Sequence, residues 1–248
     1  MWPYWLMLMF PAWGVLAPRR LKANQAWVPW ILVGLLFTLM MGLRDEVGGD
    51  WGNYLPYLER ASRMTFNEAA LQSEAGYFLL NWLASKVGGG IYTVNLVCAS
   101  VLMAGTLRFC REQPWPWLAL LVAVPYMLIV VGMGYTRQAV ALGFALLALT
   151  DLGKGRTFRF ILLIAIGATF HKSAVLLLPI AALAASKNRL MNLLIVGATT
   201  ALLYYLLLAD KSEVMWENYV VAKYHSSGGL IRVLMNVVPA ILMILLAK

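Results

Sequence analysis

Trp27-Val-Pro-Trp-Ile-Leu-Val-Gly-Leu-Leu-Phe-Thr-Leu-Met-Met-Gly42 carries no charge, and it breaks at once into Leu43-Arg-Asp-Glu-Val-Gly-Gly-Asp-Trp-Gly-Asn-Tyr54. A run this apolar reads as a helix in hydrocarbon. Charges at a membrane edge cost free energy unless they meet water, a partner or a ligand. Arg44, Asp45, Glu46 and Asp50 therefore mark a functional loop as well as the end of a span. The remaining ionisable groups in comparable positions are few: Glu74, Arg137, His171, Lys172 and Arg232.

Composition agrees with this reading. The chain has 248 residues, of which 62% are hydrophobic and 12% charged, and its mean hydropathy is +0.74. An average soluble protein carries about 25% charged residues. The sequence predicts an all-α polytopic integral membrane protein forming a single membrane domain over residues 1–248. No long polar segment offers a second core. A net charge of +9 would suggest nucleic acid in a soluble protein. Here much of it sits in short connectors, where the excess of Lys and Arg on cytoplasmic loops explains it, and no nucleic-acid partner is expected. Cys98 and Cys110 lie in or at the end of one apolar run and suggest neither a disulfide framework nor a metal pair. The N-terminus lacks a basic leader and a clear cleavage site, so its first apolar segment reads as a retained helix.

Connectors set the expected orientation. Helices are expected over about 2–17 and 27–42, separated by the basic Pro18-Arg-Arg-Leu-Lys22. The first outer loop, 43–74, holds three arginines against six acids. The stretch 75–87 is too short for a bilayer that needs about 20 residues and reads as a re-entrant or interfacial helix. Further helices follow over about 91–109, 117–132 and 138–152, with Arg108, Arg111, Lys154, Arg156 and Arg159 inside. Residues 160–186 read as a hairpin of two short helices, its apex at His171, because irregular backbone at membrane depth is tolerated only beside a cavity. Helices over about 190–208 and 230–247 flank a second outer loop, 209–229. In all, about eight to ten transmembrane or re-entrant helices are expected.

This topology gathers Arg44, Asp50, Glu74, Arg137, His171, Lys172 and Arg232 at one membrane face. Arginine suits a pyrophosphate, since its fork donates paired hydrogen bonds and stays charged. Arg137, Arg44 and Arg232 are the candidates for that anion. A hydroxyl nucleophile needs a proton acceptor, for which His171, Asp50 and Glu74 are candidates. Tyr54, Tyr77, Tyr219, Tyr224 and Lys172 are candidates for contacting sugar. Gly48, Gly49 and Gly52 would let backbone approach a bulky ligand. Each group also has an ordinary reading. Arg44 and Arg232 fit snorkelling anchors, His171 a bond to carbonyls of a broken helix, and Glu74 a helix cap. Tyr219 and Tyr224 fit an aromatic belt, and Asp45 and Glu46 a solvated face. Arg137 has no such easy reading, because a cation opening a helix opposes the helix dipole.

At Gly42-Leu-Arg44, Gly49-Asp-Trp-Gly-Asn-Tyr54, Glu74-Ala-Gly-Tyr77, Arg137-Gln138 and His171-Lys-Ser-Ala174 the chain resembles the EpsG family of exopolysaccharide polymerases. It is more loosely similar to the Wzy O-antigen polymerases and O-antigen ligases. The resemblance implies a GT-C-like or Wzy-like membrane glycosyltransferase of the bacterial cytoplasmic membrane that uses no metal or other cofactor. Its substrate would be an undecaprenyl-pyrophosphate-linked oligosaccharide, and its partners membrane lipids and other polysaccharide assembly proteins. Arg137 and His171 are the first positions carried over, then Arg44 and Asp50. Family members usually continue with further helices, so this chain is expected either to be a minimal member or to lack the last ones. An O-antigen-type ligase and a lipid-sugar flippase or transporter stand as alternatives. Transporter sites, however, favour the bilayer midplane over one face.

Overall fold

A computed structural model of the chain describes residues 2–17, 27–179 and 189–207, with isolated positions at 216, 217, 234, 237, 241 and 245. The basic connector 18–22, most of the stretch 209–247, and with them Tyr219, Tyr224 and Arg232, lie outside the described residues. The chain divides into two compact units, 1–207 and 208–248. The first carries the described helices that position Arg44, Glu74, Arg137 and His171.

Every regular element among the described residues is helical. In chain order they are α1 (Trp2–Leu16), α2 (Trp27–Gly42), α3 (Trp51–Ser62), α4 (Phe66–Ala70), α5 (Ala75–Lys86) and α6 (Gly90–Arg111). Then come α7 (Pro116–Gly134), α8 (Thr136–Gly153), α9 (Thr157–Phe170) and α10 (Arg189–Leu207). By length and composition α6 and α7 can cross a membrane, and α2 and α9 are shorter apolar helices. At 1.5 Å per residue, the 22 residues of α6 span about 33 Å, the thickness of a hydrocarbon core.

The largest core joins α1, α2, α6 and α7 around Met7, Phe37, Met41, Leu102, Leu120 and Leu128, all fully buried. Trp30 and Trp117 stack beside it at 4.3 Å. Among the described helices α6 and α8 pack tightly, with Gly105 facing Gly143. A Cβ on Gly143 would lie 2.7 Å from the Leu102 Cα, and one on Gly105 would lie 2.9 Å from the Gly143 Cα and closer still to its carbonyl oxygen. Absent side chains let these backbones touch, the usual route to tight packing where lipid removes the hydrophobic drive.

Two features depart from plain α-helix. Within α7, residues Val124–Val131 wind as a π-helix. Pro125, second in that segment, has no amide hydrogen to continue the α ladder, which accounts for the slip. The second is the expected break after α9. His171 is extended at φ −151°, ψ 115°, and a 3-10 turn, Lys172–Leu177, follows. The His171 amide donates to the Gly167 carbonyl at 3.0 Å and its carbonyl accepts from the Ala174 amide at 3.1 Å, so its backbone is bonded on both sides of the break.

The expected short element is α5, whose 12 residues cover only about 18 Å. Its buried Tyr77, Phe78, Asn81 and Ala84 turn towards α3, α4 and α6. The loop before it is held by local chemistry. Thr65 and Glu68 form a reciprocal capping box that starts α4. α3 buries Tyr54 and Ala61 and exposes Glu59 and Arg60, and Arg63, which follows it, is exposed as well.

α6 and α8 run side by side in the same direction, so two distinct ends emerge. At the starting end Arg44, Asn95 and Thr136 meet. At the finishing end Arg108 pairs with Asp151 at 2.8 Å, Arg156 reaches the same carboxylate at 3.4 Å, and Lys154 binds Glu112. Arg44 of the first loop and the basic residues Arg108, Lys154 and Arg156 thus occupy opposite ends of one helix pair.

Candidate functional site

Arg137 stands in the first turn of α8, where Tyr135 precedes the helix without any side-chain cap. The dipole there disfavours a cation, and a carboxylate answers it. Arg137 Nη1 donates to Glu74 Oε2 at 2.5 Å and to the Tyr57 hydroxyl at 3.2 Å, and the guanidinium lies 5.0 Å from the Tyr57 ring centre. Glu74 precedes α5 but makes no side-chain cap bond. Its carboxylate is turned to Arg137 instead, so its role is not that of an ordinary cap.

The second Glu74 oxygen faces His171. Nδ1 of His171 lies 3.5 Å from Glu74 Oε1 and makes no formed hydrogen bond. One carboxylate therefore stands between an arginine and a histidine, using a different oxygen for each. The side chains of Glu74, Arg137 and His171 are 12%, 24% and 25% exposed, so the group is sheltered yet reachable. Burial works to raise the Glu74 carboxyl. Contact with His171 and the Arg137 charge outweigh it and hold the group below the usual carboxylate range.

Aromatic rings connect this triad to the first loop. Tyr57 meets Tyr77 at 5.8 Å, and Tyr77 meets Tyr54 at 5.9 Å. The Tyr54 hydroxyl reaches Asp50 Oδ2 at 3.5 Å, while Asn53 reaches Oδ1 at the same distance. Burial, then the Asp50 charge, push the Tyr54 phenol up, and Arg137 offsets part of the rise. Expected at the sugar, Tyr54 and Tyr77 are 1% and 0% exposed. They form a packed floor, because each ring fills the space between α3, α5 and α6 and leaves no face for a ligand. Lys172 follows His171 in the 3-10 turn and is half-buried.

Arg44 also has a position that the sequence does not reveal. It is only 6% exposed. Its Nη1 donates to the Met41 carbonyl at 2.6 Å, and its Nη2 donates to Thr136 Oγ1 at 2.5 Å and to Asn95 Oδ1 at 3.4 Å. The guanidinium lies 6.0 Å from the Trp51 ring centre. Among the glycines, Gly48 adopts φ +105°, and a Cβ there would lie 2.8 Å from the Gly134 Cα; its freedom serves the protein's own packing. Gly49 and Gly52 face open space.

Tyr57, Asn95 and Thr136 escaped sequence reasoning. Asn95 had a readable signal, a lone amide in the apolar stretch of α6. Tyr57 had none, since one tyrosine among several in an aromatic loop carries no mark of its partner.

Apolar helices long enough to cross a bilayer, with a part-buried Arg–Glu–His group at one end, define a membrane protein with a polar site at the ends of its helices. The chain belongs to the EpsG family of exopolysaccharide polymerases, whose family model matches residues 27–248. No curated protein and no solved structure matches it.

Proposed function

We propose that the protein joins undecaprenyl-pyrophosphate-linked oligosaccharide repeat units on the outer face of the bacterial cytoplasmic membrane. The observation that carries this reading is the Arg137–Glu74–His171 group at the helix ends opposite the basic connectors. The chain would be a multi-pass, GT-C-like or Wzy-like glycosyltransferase built as one membrane domain of about eight to ten transmembrane or re-entrant helices. Placing the basic ends inside follows the charge bias of cytoplasmic loops.

In this reading an acceptor hydroxyl attacks the anomeric carbon of the donor, and the bond from that carbon to the pyrophosphate oxygen breaks. The proton passes to His171, and the electron pair leaves with the lipid pyrophosphate. Glu74 on the Nδ1 side orients the ring and stabilises the imidazolium, which leaves Nε2 for the hydroxyl. The edge of Arg137 that Glu74 does not use meets the charge growing on the leaving group, where a fixed donor contributes most. Asp50 is assigned with Glu74 and His171 to the acceptor, and Arg44 is assigned with Arg137 to the donor. No metal enters this scheme, and turnover is expected to survive a chelator.

Cells carrying Asp50→Asn or His171→Ala at normal protein levels test the reading. They are expected to accumulate single repeat units on the carrier outside the membrane and to lose long chains. Long chains left on the lipid would show a ligase, and single units trapped inside would show a flippase. Either pattern overturns the proposal.

A further inference from the structure

At the finishing end of α6, away from the Arg137–Glu74–His171 group, α2 and α6 enclose an open groove of about 520 Å³. Trp30 and Ile31 of α2 form one wall, and Ala104, Leu107, Arg108 and Arg111 of α6 form the other, with Glu112 also in the lining. Residues spaced by three, four and seven share one face of a helix, so the α6 wall is a single stripe. Along it two apolar side chains give way to two arginines within about 10 Å. Trp30 is fixed by its stack on Trp117, while Ile31, Ala104 and Arg111 are exposed. The two carboxylates of this end are already matched by cations. Asp151 receives Arg108 and Arg156, and Glu112 receives Lys154. Arg111 has no ion pair or hydrogen-bond partner among the described residues. The helix dipole and the charge bias of cytoplasmic loops account for basic residues in this last turn. They do not account for a groove in which those residues continue an apolar wall.

Charge, lining and depth together choose the occupant. A free phosphate would gain nothing from Trp30, Ile31, Ala104 and Leu107. The connector 18–26, just before α2, carries Arg19, Arg20 and Lys22 and no acid, so its charge opposes that of the groove. The groove lies at the end of a helix long enough to cross the hydrocarbon core, the depth of phospholipid head groups. We propose that it binds an anionic phospholipid, an acyl chain lying along Ala104 and Leu107 against Ile31. The lipid phosphate is received by Arg111 and by the edge of Arg108 that Asp151 does not use. Basic pockets between membrane helices hold anionic head groups in this way. The lipid supplies the anion that this surplus of cations lacks, and it bridges α2 to α6 as a stabilising ligand, not as a substrate. Only its placement in the inner leaflet depends on the orientation proposed above; the site itself is independent of the polymerase reading.

The test uses purified full-length protein in phosphatidylcholine nanodiscs holding a trace of phosphatidylglycerol with a diazirine on its acyl chain near the head group. Cross-links are expected at Ile31, Ala104 and Leu107, with competition by unlabelled phosphatidylglycerol but not by inorganic phosphate. The matching phosphatidylcholine probe should label these positions at least about fivefold less. Arg111→Gln should unfold at the native temperature in neutral nanodiscs, since Arg111 is exposed and unpaired among the described residues. It should nevertheless weaken labelling by the anionic probe about fivefold. Arg159→Gln removes the same charge from an exposed residue outside the groove and should label as the native protein does. Ala104→Trp, which fills the apolar wall, should lose the cross-links at Ile31 and Leu107. Equal labelling by the two probes, an equal loss in Arg159→Gln, competition by inorganic phosphate, or labelling confined to other residues would each overturn the site.

Discussion

Glu74 is the residue on which the site turns, since its carboxylate faces both Arg137 and His171. Because its carboxyl is held below its ordinary 4.5, it stabilises the fold at neutral pH. That contribution fades as pH falls through the lowered folded value. Glu74→Gln should therefore unfold earlier than the native protein at pH 7, by roughly 1–3 kcal/mol, and the gap should close as the solution is acidified below about 4.5. Thermal unfolding across pH reads this directly, and a gap that stays constant would refute the charged role. Arg137 is tested by geometry. Arg137→Lys keeps the charge and loses the fork, so turnover of lipid-linked repeat units should drop at least about tenfold, worth roughly 1.4 kcal/mol of barrier, while the protein still inserts. Turnover near the native level would leave Arg137 a simple ion-pair partner.

The α6–α8 crossing is the element most sensitive to size. Gly143→Val would press a branched side chain into the Leu102 backbone and should cost about 1–3 kcal/mol, read as a lower unfolding temperature in detergent. An unchanged temperature would show that the two helices stand farther apart. Much of this level was legible beforehand. Uninterrupted apolar runs announced α2, α6 and α7, the shortness of 75–87 announced α5, and Phe-His-Lys announced the break at 171, because each is a local property of the chain. What stayed hidden is relational. Glu74 meets Arg137 across 63 positions and Arg44 meets Thr136 across 92, and a helix that is apolar all round gives no period from which to read its facing side. Arg44 looks the same in sequence whether it greets lipid head groups or lies folded against Asn95. The π-helical stretch of α7 was equally silent, since proline marks a disturbance and not its form.

For the molecule as a whole, the proposed orientation makes a plain forecast. In a background lacking Cys98 and Cys110, a cysteine at position 60 should react with an impermeant reagent in intact cells, and one at position 156 only after the membrane is opened. The reverse pattern would invert the topology and move the site to the cytoplasm.

The way α6 and α8 are joined sets a mechanical limit on how such a molecule can work. They are pinned near their start through Asn95 and Thr136, pinned again through Arg108 and Asp151, and pressed backbone to backbone between. The two ties on α6 stand about 20 Å apart, so the pair behaves as a beam, stiff against both shear and splaying. Amide exchange should be slowest along it. Any cargo that enters or leaves has to pass around the beam, and the work of opening falls on the lighter helices at its flank.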